Sequence, residues 1–203
     1  MLSAQLPGSA IATAGFILAG GKSSRLGADK AFLEFDGCTL LDRALDVMRD
    51  ACDEVAIVGD PEKFASYGAV VTDLHQSCGP LGGIHAALLQ SSAELNLVMA
   101  VDMPFVSVEL LAFLLATATA SDAIVAVPRT AMGFQPLCAV YRRAFAAAAD
   151  EALRAGKYKI DAVFSHIPVR VIDEDELARE GFPERIFFNI NTPHDLRAAR
   201  EKR

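Results

Sequence analysis

The apolar positions of this chain fall into two alternating patterns. Short, nearly continuous apolar runs stand at Ala14–Leu18, Val55–Val58, Ala69–Thr72, Leu95–Val101 and Ala123–Val127, each bounded by turn or helix signals. Runs of that length and composition predict strands buried on both faces. Between them, Leu40–Cys52, Gly83–Ser91 and Val108–Ala118 repeat their apolar positions with the period of a helix. Strands and helices alternating in this order predict an α/β fold, a parallel sheet with helices on both faces. Beyond Pro128 the rhythm changes. Pro136–Tyr141 reads as a strand, Arg143–Ala155 as a helix, and Ile167–Ile172 and Ile186–Ile190 as two more strands. Thr192 is placed to cap a last helix, with Pro193 in its first position and Asp195 in its first turn. The expected organisation is one domain over 14–203 behind a flexible tail over 1–13. Sheets of this kind hold ligands in loops beyond the carboxyl ends of their strands.

Composition narrows the ligand. The chain has 203 residues, 52% apolar and 22% charged, which suits one globular unit with a full core. No apolar stretch reaches the roughly 18 residues that would cross a bilayer, so no membrane is expected. The first residues lack the pattern of a secretion signal, which points to the cytoplasm. Cys38, Cys52, Cys78 and Cys138 are scattered without zinc or redox spacing and are expected as reduced thiols. His75, His85, His166 and His194 show no metal-ligand spacing either. A formal charge of −7 argues against a nucleic-acid surface. Any polyanionic ligand must therefore meet a local cluster of cations.

Such a cluster follows the first strand. The chain reads Leu18-Ala19-Gly20-Gly21-Lys22-Ser23-Ser24-Arg25-Leu26-Gly27-Ala28-Asp29-Lys30. Two glycines after a strand let the backbone turn tightly and approach a phosphate, and successive N–H groups can form an anion-binding concavity. Arg25 offers a planar fork to phosphate oxygens and Lys30 a mobile point charge. The spacing is neither that of a Walker loop nor that of GxGxxG. Further along the chain, Leu95–Val101 runs into Asp102-Met103-Pro104-Phe105. A carboxylate at the end of a central strand, fixed by a proline, is well placed for Mg²⁺, which takes one or two carboxylates plus phosphate oxygens and water. Ser107 is the better candidate to cap the helix that follows. Arg142 and Arg143 read as a solvated helix start.

The stretch LAGGKSSRLGADK resembles the signature LAGGxSxRMGxDK of molybdenum cofactor guanylyltransferases and their close relatives, departing from it only at Leu26, a volume-conserving swap. Asp102-Met103-Pro104-Phe105 matches the family's Asp-x-Pro-Phe/Tyr motif, Gly79-Pro80-Leu81-Gly82-Gly83-Ile84 its GPLxGI turn, and Phe188–Leu196 its FxNxNTPxDL motif. The resemblance implies a Rossmann-like three-layer nucleotidyltransferase fold with a mostly parallel sheet. It further implies that GTP lies across the ends of the first and fourth predicted strands. Leu18, Ala19, Gly20 and Gly21 would contact base and phosphates, while Arg25 and Lys30 neutralise the triphosphate. Asp73, Gly79, Pro80 and Leu81 would frame the base, with Asp73 accepting from the guanine edge. Asp102 would hold Mg²⁺, making Arg25, Lys30 and Asp102 the catalytic set. Asn189 and Asn191, alternating on one face of the last predicted strand, and Gln135 would lie near the metal or the acceptor. The acceptor implied is the terminal phosphate of molybdenum-molybdopterin; proteins that deliver the cofactor to molybdoenzymes are candidate partners, and a monomer is expected. A cytidylyltransferase for the same cofactor, another small-molecule phosphate nucleotidyltransferase, and a GTP-binding regulatory or carrier module are the alternatives. Gly20 and Gly79–Ile84 favour guanine.

Overall fold

The computed structural model describes residues 11–20, 29–73 and 78–201. In chain order the strands are β1 (Thr13–Leu18), β2 (Glu34–Phe35), β3 (Cys38–Thr39), β4 (Glu54–Val58), β5 (Ala69–Val71), β6 (Leu95–Ala100), β7 (Val125–Thr130), β8 (Gly133–Phe134), β9 (Cys138–Arg142) and β10 (Val169–Ile172). The helices are α1 (Leu40–Ala51), α2 (Pro61–Phe64), α3 (Pro80–Gln90), α4 (Val108–Thr119), α5 (Phe145–Arg154), α6 (Ile160–Phe164), α7 (Glu174–Arg179) and α8 (Pro193–Glu201). One sheet runs in the order β10-β7-β9-β6-β1-β4-β5, with β8 paired to β7, and β2–β3 form a separate hairpin. The pairs β1–β4, β1–β6, β4–β5 and β7–β10 are parallel; β9 runs antiparallel to both β6 and β7. The fold is thus α/β with a mostly parallel sheet, as the alternation of periods predicts.

Side chains on successive strand residues point to opposite faces, and the two cores follow that rule. Ile17, Ile57, Leu97 and Met99 face one side and pack under α1 and α4, joined by Leu177 of α7 and Ala199 of α8. Phe16, Val58 and Val98 face the other, under α3, α5 and α6. Each such side chain, fully withdrawn from water, contributes about 1.5–3 kcal/mol. Two glycines set how closely the helices approach. A Cβ on Gly15 would lie 2.4 Å from Met48 Cγ of α1, and one on Gly83 of α3 would lie 3.3 Å from both Leu18 and Val58. The helices rest directly on the central strands, which fixes the loops at the strand ends. Among the described residues no helix is long and apolar enough to cross a membrane.

Several boundaries differ from the sequence expectation. Thr13 belongs to β1, and both its N–H and its hydroxyl donate to Asp53 Oδ2, at 2.9 and 2.8 Å. Helix α3 begins at Pro80, three residues before Gly83, because proline suits the first helical position. Strand β7 starts at Val125 and continues through Pro128 to Thr130; its ladder to β9 ends at Ala126, so the missing N–H of Pro128 breaks no bond on that side. The strand expected at Ile186–Ile190 is not one. Glu184–Phe187 is a 3-10 turn in which Ile186 and Phe187 are both buried, whereas a half-buried strand would alternate. Thr192, Pro193 and Asp195 stand as expected at the start of α8. Thr192 Oγ1 accepts from Asp195 N at 3.1 Å and Asp195 Oδ2 accepts from Thr192 N at 2.8 Å, a reciprocal capping pair.

Candidate active site

From β1 the chain moves through β4 to β5 on one side, then returns to β6 on the other side of β1. The strand order therefore reverses at β1, and the ends of β1 and β6 flank the crevice where α/β sheets of this kind bind ligands. Asp102 stands two residues past β6. Its position is fixed by the backbone around it: Val101 N donates to Leu18 O at 3.1 Å, and Asp102 O accepts from Ile190 N at 2.9 Å. Met103 and Val106, both buried, anchor the turn that follows. Ser107 caps α4 by accepting from Leu110 N, so Asp102 is not needed as a cap.

Lys30 is held by an equally local device. It opens a 3-10 turn, Lys30–Phe32, whose cap Asp29 accepts from Ala31 N at 3.2 Å and whose Ala31 is completely buried. Lys63 secures Asp29 from outside at 2.8 Å. From this turn Lys30 Nζ donates to Asp102 Oδ2 at 2.9 Å and to Asn191 Oδ1 at 2.6 Å. The pair is mostly shielded, with side-chain exposures of 22% for Lys30 and 15% for Asp102. Asp102 Oδ1 is buried and has no hydrogen-bond partner among the described residues. This carboxylate has coordinating capacity left over, and it fits the requirement of a hard cation for oxygen ligands. Among the described residues no group of three or more His, Cys, Asp or Glu side chains could hold a metal ion. A metal on Asp102 would need ligand phosphates and water to complete its shell, which is how Mg²⁺ is ordinarily bound.

The remaining sequence candidates divide. Gln135, Asn189 and Asn191 line one cavity of about 610 Å³, together with Thr130, Phe188 and Arg185. They are brought together, although not by a shared strand face: Asn189 Nδ2 donates to Phe187 O at 3.0 Å, and Gln135 Nε2 donates to Thr130 Oγ1 at 3.2 Å. Thr130 and Arg185 carry no motif signal; only their closeness in sequence to Gln135 and Asn189 pointed there. Gly79 has φ +67° and ψ −161°, a conformation essentially reserved for glycine, and it stands exposed with Pro80 at the start of α3. Asp73 lies half-buried two residues past β5. Several of these positions are partly committed within the protein itself. The Leu81 side chain is fully buried in the core beneath α3, so only its backbone is left for a ligand. The amides of Ala19 and Gly20 both donate to Val58 O, at 3.0 and 3.1 Å. Among the described residues, a Cβ on Gly20 would lie 3.7 Å from Val58 O and 3.8 Å from Gly59 Cα, ordinary contact distances. Leu18 ends β1 with its carbonyl already accepting from Val101. Gly21 and Arg25 lie outside the described residues. Arg142 is no solvated helix start: it lies in β9, donates to the carbonyls of Ala118, Ser121 and Ala123, and pairs with Glu94 at 2.8 Å.

A mostly parallel sheet with a lysine–carboxylate pair at its switch point places the chain in the α/β class that binds ligands at strand ends. The chain belongs to the MobA-like NTP transferase domain family, whose model matches residues 15–171. It is 38% identical over 193 residues to a molybdenum cofactor guanylyltransferase of Desulfosudis oleivorans, covering 93% of this chain and 94% of that one. A relative from Pelotomaculum thermopropionicum, named as a probable molybdenum cofactor guanylyltransferase, is 40% identical over 188 residues, with 92% and 91% covered. Among solved structures, the molybdopterin-guanine dinucleotide biosynthesis protein A of Archaeoglobus fulgidus superposes with a TM-score of 0.82 at 29% identity, covering 93% of this chain and 97% of that one.

Proposed function

We propose that this protein transfers GMP from GTP to the terminal phosphate of molybdenum-molybdopterin, giving molybdopterin guanine dinucleotide and pyrophosphate. The observation that carries this reading is the Lys30–Asp102–Asn191 cluster, which joins the strand ends to the cavity lined by Gln135, Asn189 and Asn191. A donor nucleotide on the sheet side and an acceptor in the cavity would meet at that cluster. Asp73 past β5 and Asp102 past β6 are separated by three strand spacings, roughly 15 Å, which suits a base at one end and phosphates at the other.

Asp102 would hold Mg²⁺, which when bound neutralises charge on the phosphate oxygens. Lys30 supplies a further positive charge, and Arg25 supplies a fork for the same triphosphate. Asp73 and the turn at Gly79 and Pro80 bind and orient the base. An oxygen of the acceptor phosphate forms the new bond to the α-phosphorus of GTP. The bond from that phosphorus to the bridging oxygen breaks, and the electron pair leaves on pyrophosphate. The acceptor phosphate is already ionised, so no side chain has to remove a proton, and positioning with charge neutralisation accounts for the catalysis. The guanine preference draws support from the names of the relatives and from Gly79–Ile84. Turnover of GTP, CTP and ATP by purified protein with molybdenum-molybdopterin, read as dinucleotide product by chromatography, tests the assignment. GTP should be preferred; CTP outcompeting it refutes the guanine assignment, and turnover with a sugar phosphate in place of molybdopterin refutes the acceptor.

A further inference from the structure

An ion pair occupies the place where the proposed reaction needs a metal. Lys30 Nζ sits 2.9 Å from Asp102 Oδ2 and 2.6 Å from Asn191 Oδ1, while Asp102 Oδ1 remains buried and unpartnered among the described residues. A lysine has a long, mobile stem, and ordering it costs rotamer freedom. Two acceptors in fixed positions offset that cost. The first, Asp102, is fixed by its turn. The second, Asn191, is fixed independently of Lys30, because its N–H donates to Asp195 Oδ2 at 3.0 Å in the cap of α8. The segment leading into α8 thus helps, through Asn191, to hold the Lys30 ammonium on Asp102.

An ammonium and a divalent ion cannot both sit closely on one carboxylate without mutual repulsion. With no nucleotide, the lysine is held by Asp102 and Asn191. An arriving triphosphate competes for it, because its oxygens attract the ammonium more strongly than a single shared carboxylate does.

We propose that Lys30 is the resident counter-ion of Asp102, that Asn191 is the positioning residue that keeps it there, and that Lys30 moves to the triphosphate and so leaves Asp102 for the divalent ion. This rests on the reading of Asp102 as the metal seat. Metal and nucleotide then bind as partners: without nucleotide, the lysine suppresses the metal's affinity, and with nucleotide it adds to the grip on the complex.

The test uses Mn²⁺ as the probe, with free ion counted by electron paramagnetic resonance. It is applied to the full chain and to Lys30→Met, Asn191→Ala and Asp102→Asn, each with and without GTP. Without nucleotide, Lys30→Met should tighten Mn²⁺ binding about tenfold and Asn191→Ala about threefold, while Asp102→Asn abolishes it. With GTP present, Lys30→Met should bind the Mn²⁺–nucleotide complex more weakly than the wild type. That reversal of sign is not expected of a residue that merely supports the fold. If Asp102→Asn abolishes binding but neither Lys30→Met nor Asn191→Ala tightens it, the resident counter-ion is refuted and the metal seat stands. If Asp102→Asn leaves Mn²⁺ binding untouched in both conditions, both readings fall. Circular dichroism checks folding, and should Lys30→Met not fold, Asn191→Ala, whose residue is exposed, decides the question alone.

Discussion

Asp102 carries more of the proposed chemistry than any other side chain, and its surroundings explain why. The turn that bears it is pinned to β1 and to Ile190 by backbone hydrogen bonds, so a change confined to the carboxylate leaves its frame intact. Asp102→Asn keeps the shape, keeps an oxygen for Lys30, and removes the negative charge. Product formation should fall at least about 100-fold, with the circular dichroism spectrum unchanged. Steady-state assay of the purified variant checks this, and an undiminished rate would remove Asp102 from the mechanism. Lys30 and Asp102 were legible as candidates because each stands next to a strong local signal, a glycine turn or a strand end with proline. Their mutual pairing was not, since 72 residues separate them and only the sheet brings them together. Hydrogen-bond use was equally hidden: nothing in Leu18-Ala19-Gly20 reveals that Val58 takes two of its amides.

Helix starts and strand ends hold the rest of the site, and two of them make separate predictions. Gly79 adopts φ +67°, and among the described residues nothing lies within 4 Å of where a Cβ would be, so the demand they place on it is conformational. Gly79→Ala should cost about 1–3 kcal/mol and raise the KM for GTP more than it lowers kcat, measured by denaturant unfolding and by kinetics. At the start of α8, burial tends to raise the Asp195 carboxyl, but hydrogen bonds from Asn191 and Thr192 and the neighbouring His194 outweigh it and hold the group below its ordinary 3.8. A lowered value in the folded protein means stabilisation that is present above the ordinary value and lost as pH falls through the lowered one. The stability difference between wild type and Asp195→Asn should therefore be constant near neutrality and shrink below about pH 4, as denaturant titrations from pH 7 to pH 3 would show. The cap of α8 was legible because Thr192-Pro193-His194-Asp195 is a local motif. The segment before it was misread as a strand because Ile186 and Phe187 are apolar for a different reason, burial of a tight turn against the core of α1 and α4. Apolar runs of that length suit either structure, and only neighbours decide between them.

The sheet as a unit turns these local devices into one site. Reading strands and helices in alternation predicts the parallel half, β1, β4, β5 and β6, because each crossover is local in sequence. It did not predict that β9 inserts antiparallel between β6 and β7, since pairing partners far apart in the chain leave no periodic trace. That insertion matters for function. It continues from Gln135, whose N–H donates to Pro128 O at 2.8 Å and which lines the cavity proposed for the acceptor. With a formal charge of −7, the protein as a body repels polyanions, so the proposed binding of a triphosphate relies on local cations such as Lys30 beside Asp102. Isothermal titration of GTP into the wild-type protein, with and without Mg²⁺, reads this most directly. Saturable one-to-one binding that strengthens at least about tenfold with the metal is expected. Heat signals at the baseline for GTP, CTP and ATP alike, with Mg²⁺ present, would contradict the account at its root.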